Sequence, residues 1–167
     1  MKHLLLLALS AALAGSLPAQ AASVTPYGSG CTFLGQPLAI GATGLPQLGS
    51  TCTLTYTGPN LNTQLSTQPF LGLGLQATNL PIPPSILWQQ PPNCTQWIVP
   101  DVLLAMPPST TGGYVDQVAI VVPNSPGLIG FSFVAQWLVI VIQCGFVPPC
   151  TFDAVPTSDA LQLTIGL

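Results

Sequence analysis

The run from Phe131 to Ile142, Phe-Ser-Phe-Val-Ala-Gln-Trp-Leu-Val-Ile-Val-Ile, restricts the fold of this chain more than any other stretch. In an extended strand, Phe131, Phe133, Ala135, Trp137, Val139 and Val141 project from one face, and the residues between them from the other. That second face carries Ser132 and Gln136 before it turns apolar at Leu138, Ile140 and Ile142. The pattern predicts a strand buried on one face at its start and on both faces near its end. A membrane helix is the competing reading. From Leu128 to Ile142 the chain falls short of the roughly 20 apolar residues a spanning helix needs. Ser132 and Gln136 also interrupt the run, and its β-branched content favours a strand.

The chain begins with a pattern of a different kind. Lys2 and His3 form a charged start, Leu4 to Ala14 an apolar core, and Ala19-Gln20-Ala21 a small-x-small cleavage pattern. Residues 1–21 therefore read as a secretory signal peptide, and residues 22–167 as one domain of ordinary size with a real core. No membrane span is expected after cleavage.

Beyond His3 there is no Lys, Arg, His or Glu, and the only charged side chains are Asp101, Asp116, Asp153 and Asp159. Apolar residues nonetheless make up 49% of the chain, and they are patterned, so a folded domain is expected and not a disordered one. The missing residue types exclude whole classes of function. Nucleic-acid and phosphate binding lean on Lys and Arg, so neither partner is expected. A Ser-His-Asp or Cys-His arrangement lacks its base. Zinc sites draw on His or clustered Cys, and no Cys-x-x-Cys occurs, so no metal or other cofactor is expected. A near-neutral surface rich in hydroxyls and amides is compatible with self-association.

All but one of the 19 prolines lie beyond residue 21, placed as punctuation between apolar runs. Thr51-Cys-Thr-Leu-Thr-Tyr-Thr57 alternates strictly, with Cys52, Leu54 and Tyr56 predicted to face inward and the threonines outward. Further strands are predicted over 38–43, 70–76, 95–99, 102–106, 114–122 and 160–166. Ala22 to Gly30 reads as a loose lead-in, 81–92 as an edge strand or irregular crossover, and 123–127 as a tight turn. Gly72 and Gly74 weaken a strand interior and permit close backbone approach. Seven to nine short strands with regular turn signals indicate an all-β, antiparallel β-sandwich.

Gly44-Leu-Pro-Gln-Leu-Gly-Ser-Thr51 through Asn60, together with Pro123-Asn-Ser-Pro-Gly-Leu-Ile-Gly-Phe-Ser-Phe-Val-Ala-Gln-Trp137, resembles a family of secreted bacterial domains of unassigned function. Tyr27-Gly-Ser-Gly-Cys31, and the segment from Asn93-Cys94 to Leu104, fit the same pattern. The resemblance covers most of residues 22–167. It implies an extracellular β-sandwich module, often found at the end of larger surface proteins, and it carries no catalytic motif. The chain departs from that pattern at Cys52 and in the extra pair Cys144 and Cys150. More loosely, the order of elements from Tyr114 to Ile142 resembles an immunoglobulin-like sandwich, as fold analogy only.

Five cysteines in an exported chain predict disulfides with one thiol left over. Cys144 and Cys150 flank a short loop and are expected to pair locally, and Cys31 and Cys94 at long range. Cys52 then remains as a buried thiol, with an intermolecular disulfide as the alternative. No base or positive charge is available to activate a thiol, so no enzyme is expected. Four Asp offer a carboxylate pair or a calcium cage only in principle, since no Asp-x-Asp-x-Asp loop occurs. Asp101 and Asp159 read as turn residues. Trp88 and Trp97 sit in a proline-bounded segment and are candidates for a sugar-binding platform with Tyr27 and Tyr114, whereas Trp137 belongs to the core pattern. The expectation is a secreted, non-enzymatic structural or adhesive module facing a protein or glycan surface. A carbohydrate-binding module and a subunit of an extracellular fibre are the alternatives.

Overall fold

The computed structural model describes residues 20–58, 65–83, 91–106, 117–143 and 151–167, with the backbone alone at 65, 66, 143 and 151–153. Among them the architecture is all-β and antiparallel. The alternating run forms β11 (Ser132–Gln143), the centre of the larger sheet. On one side it pairs from Val134 to Gln143 with the whole of β6 (Leu65–Gly74). On the other it pairs with β13 (Thr157–Thr164) and then β12 (Thr151–Ala154). β1 (Ser23–Tyr27) extends the sheet beyond β13, and β9 (Val102–Ala105) closes it beyond β6.

A second sheet has β5 (Thr51–Thr57) between β4 (Ala39–Thr43) and β10 (Gln117–Val121). Cys52, Leu54 and Tyr56 of β5 are buried, as their alternation predicts. They join Leu71, Ala135, Trp137, Val139, Leu161 and Leu163 of the first sheet in one apolar core. The Tyr56 and Trp137 rings lie 5.7 Å apart within it.

Two short ribbons complete the thirteen strands of the described residues: β2 (Thr32–Phe33) with β3 (Gln36–Pro37), and β7 (Gln76–Pro81) with β8 (Thr95–Val99). The second ribbon lies across the outer face of β6 and β11. Its close approach explains the glycines of β6: a Cβ on Gly74 would collide with the Val99 carbonyl, and one on Gly72 would meet Ile98 Cδ1 at 2.7 Å.

This ribbon corrects the expectation for the second face of β11. Burial is deepest in the middle, at Val134 and Gln136, and Leu138, Ile140 and Ile142 at the end are only half-buried. Gln136, fully buried, is held by its own hydrogen bonds. Its Oε1 accepts from the Trp97 N–H at 2.9 Å, and its Nε2 donates to the carbonyls of Thr95 at 2.9 Å and Ser158 at 2.8 Å. The neighbouring ladder is irregular between Gln136 and Leu138, where the Ser158 hydroxyl accepts the Trp137 N–H at 2.9 Å. Buried polar groups are nearly always hydrogen-bonded, and the Gln136 amide has its partners.

Other boundaries differ in instructive ways. Ser23–Tyr27 is a strand and not a loose lead-in, because β13 offers it a free edge. Phe131, expected as the first inward residue of its strand, precedes β11 and is 44% exposed. Asp159 lies inside β13 and not in a turn. The tight turn after Pro123 is present as a single 3-10 turn at Pro126–Leu128. Residues 1–19 of the expected signal peptide and the start of the strand predicted from Tyr114 lie outside the described residues. No helix among the described residues is long and apolar enough to cross a membrane.

Replacing Gln136 by Leu would leave the Trp97 backbone N–H without its partner and take a donor from the Ser158 and Thr95 carbonyls, of which Thr95 keeps the Thr157 hydroxyl. The expected loss is about 2 kcal/mol or more, since each buried orphan costs about 1–3 kcal/mol. Urea unfolding of the variant beside wild type measures it. A loss below about 1 kcal/mol would remove Gln136 from its central place.

Candidate functional site

The expected long-range disulfide is present. Cys31 and Cys94, both buried, join the segment after β1 to the start of β8 across a sequence separation of 63. The bridge sits in a polar cluster. The Thr157 N–H donates to Cys31 Sγ at 3.2 Å, and the Thr157 hydroxyl donates to the Thr95 carbonyl at 3.0 Å. Cys52 is a free thiol, buried, with Sγ 3.5 Å from the Gly44 carbonyl, and burial pushes its pKa up. Cys144, Cys150, Trp88, Tyr114 and Asp116 lie outside the described residues, as does the side chain of Asp153.

Trp97 is half-buried and anchored. Its indole N–H donates to the Ser29 carbonyl at 2.8 Å, its ring covers Gly28, whose φ is +73°, and Tyr27 meets it edge-on at 5.4 Å. Tyr27 in turn donates from its hydroxyl to the Thr78 carbonyl at 3.3 Å. These contacts fasten the β7–β8 ribbon to β1. Trp137 lies in the core, as its place in the pattern predicts.

Asp159 and Asp101 each accept a backbone N–H. Asp159 Oδ1 takes the Ile40 N–H at 2.8 Å and so ties β13 to β4 across the two sheets. Burial raises its pKa, and the backbone N–H groups of Ile40 and of Asp159 itself pull it partly back. Asp101 is exposed between β8 and β9, and its Oδ2 takes the Leu75 N–H at 2.9 Å. Among the described residues no three His, Cys, Asp or Glu side chains gather.

Sequence reasoning did not anticipate an open concavity with apolar walls. At one corner of the sandwich the core is left open. A groove of about 370 Å³ runs between β9 and the start of β11 on one sheet and β10 on the other. Leu73 and Phe133 form its floor, and Ile120 closes the far wall. Leu75, Val102 and Phe131 stand at the rim, 60%, 48% and 44% exposed. Such a volume lies within the range of binding pockets. The Asp101 carboxylate is the charged group at the groove.

Compared with family models, curated proteins and solved structures, the chain matches none.

Two measurements test the roles assigned here. Replacing both Cys31 and Cys94 by Ala opens a loop whose closure entropy corresponds to about 4 kcal/mol. Chemical unfolding should show a loss approaching that value, and an unchanged midpoint would contradict it. For Asp159, the raised pKa means that the folded chain holds the proton more tightly than the unfolded one. Its stabilising contribution is full below the unfolded pKa and is lost as pH rises through the folded one. Asp159→Asn keeps an oxygen for the Ile40 N–H but does not titrate. Its stability relative to wild type should therefore climb as pH rises from the ordinary carboxylate range through the raised folded pKa, and then level off. Urea midpoints across that range decide, and a falling difference would reverse the assignment.

Proposed function

We propose that this chain is a secreted, non-enzymatic structural or adhesive β-sandwich module whose contact surface is the groove between β9, β10 and the start of β11. The observation that carries this reading is the gathering of exposed Leu75, Val102 and Phe131 around one apolar concavity. Soluble chains scatter exposed apolar residues singly, and a cluster marks a contact surface. The composition supports the same reading, because a chain without Lys, Arg, His or Glu beyond residue 3 has few of the groups that acid–base chemistry uses. The Cys31–Cys94 bridge fits an oxidising, extracellular setting. The glycan alternative rests on Trp88 and Trp97 as one platform. The Trp97 indole N–H and one ring face are engaged within the chain, so the groove is the better-supported surface.

Adhesion through apolar burial should depend little on sodium chloride, because few charges are available to screen, and sulfate should strengthen it. Beads coated with residues 22–167 should be retained on the surface of the producing cells from low to high sodium chloride. A Val102→Ser, Phe131→Ser double variant with an unchanged unfolding midpoint should lose that retention. Retention unaffected by the variant, or abolished by modest sodium chloride, would overturn the reading.

A further inference from the structure

We infer that the groove and the β9 edge together accept an extended peptide from a partner protein, one that adds to β9 as a further strand and pairs apolar side chains with a basic residue. The inference rests on the reading of the groove as the contact surface and names its partner. Three observations converge on it.

The first is an open edge. β9 pairs with β6 on one side, in the register Phe70 to Ala105 and Leu73 to Val102. The Met106 N–H donates to the Pro69 carbonyl at 2.9 Å, so positions 106, 104 and 102 turn their backbone groups toward β6. The Gln68 side-chain amide donates to the Met106 carbonyl, supplying a donor that Pro69 lacks. By the same alternation, Leu103 and Ala105 turn their N–H and C=O groups away from β6, where they have no partner among the described residues. The edge is short, but Val102–Ala105 itself contains no charge and no proline to block pairing. Leu103 is 54% exposed.

The second is the position of the groove. Val102 is both a residue of β9 and a wall of the concavity, facing Ile120 of β10. A strand added beyond β9 would point alternate side chains between the two sheets, and the first of these would enter the space beside Val102. Main-chain pairing would then hold the peptide, and the groove would select a branched apolar side chain.

The third is charge. Asp101, immediately before β9, borders the groove, and among the described residues its carboxylate is engaged at Oδ2 by the Leu75 N–H. No side chain beyond His3 is positive, so the complementary group on any partner is a cation and an acidic peptide is repelled. A lone lipid chain satisfies the groove but leaves the backbone groups of Leu103 and Ala105 unused, which is why a peptide is favoured.

The test uses residues 22–167 and a short synthetic peptide in which leucine alternates with threonine and a lysine occupies one end. Titration followed by amide and methyl NMR should shift the Leu103 and Ala105 amides and the Val102 and Ile120 methyls. Exchanging lysine for glutamate should weaken binding about fivefold, the scale of one exposed ion pair. Methylating the peptide amides that face β9 should abolish it. Ala105→Pro removes an N–H that faces away from β6, a position where an edge strand tolerates proline. That variant should keep the unfolding midpoint and lose the peptide. Binding unaffected by amide methylation or by Ala105→Pro would overturn strand addition. Equal binding of a long-chain alkylammonium would reassign the groove to a lipid. If the groove double variant abolishes cell retention but no peptide binds, the adhesive reading stands and this inference falls. If retention is absent as well, both fall.

Discussion

The buried amide of Gln136 is the interaction on which the rest of the arrangement depends. A primary amide offers two donors and an acceptor with two lone pairs, and this one reaches β8 through Trp97 and Thr95 and β13 through Ser158. It holds the β7–β8 ribbon against the larger sheet at the point where the ladder between β11 and β13 is irregular. The Cys31–Cys94 bridge, Thr157 and the Ser158 hydroxyl surround the same point. The ribbon thus has a covalent tie and a set of neutral hydrogen bonds, and both β6 glycines leave room for it to approach.

Neutral groups take the place that ion pairs occupy in most domains. With no positive side chain beyond His3, cross-links between strands fall to hydroxyls, amides and carboxylates bonded to backbone. Ser132 and Thr164 share a hydrogen bond at 2.8 Å, and Asp159 reaches the Ile40 N–H across the sheets. Neutral bonds need no exchange of two hydrated charges for a buried pair, so the desolvation cost of burying them is lower. The few carboxylates described are therefore held by backbone N–H groups and not by opposing side chains.

Much of this architecture was legible in the sequence, and the exceptions have a common physical reason. Thr51 to Thr57 shows its buried face because alternation records burial directly. The Cys31–Cys94 pairing followed from five cysteines in a chain expected to be exported, with Cys144 and Cys150 expected to pair across their short loop. Gln136 read only as a break in an apolar run, because its partners are backbone atoms, which every residue carries and no sequence pattern marks. Ser23–Tyr27 and Gln76–Pro81 lack alternation, and each is a strand because a neighbour supplies an edge. The groove draws on residues from Leu73 to Phe133 that come together only when two sheets meet. Trp97 looked like a surface aromatic, since the Ser29 carbonyl that engages its indole lies 68 residues away in sequence.

The pairing of β1 with β13 also has a mechanical consequence. Ser23 lies opposite Thr164 and Tyr27 opposite Ala160, so the first and last strands enter and leave the ladder at the same end. A tensile load applied across those two ends would not shear the ladder, with all its bonds resisting at once. It would peel β1 from β13 one bond at a time, beginning where the Leu167 N–H meets the Gln20 carbonyl and passing on to Ser23 and Thr164. If tension reaches this domain through both ends of the chain, β1 is the strand that yields first, while the groove at the opposite margin of the sheet keeps its walls.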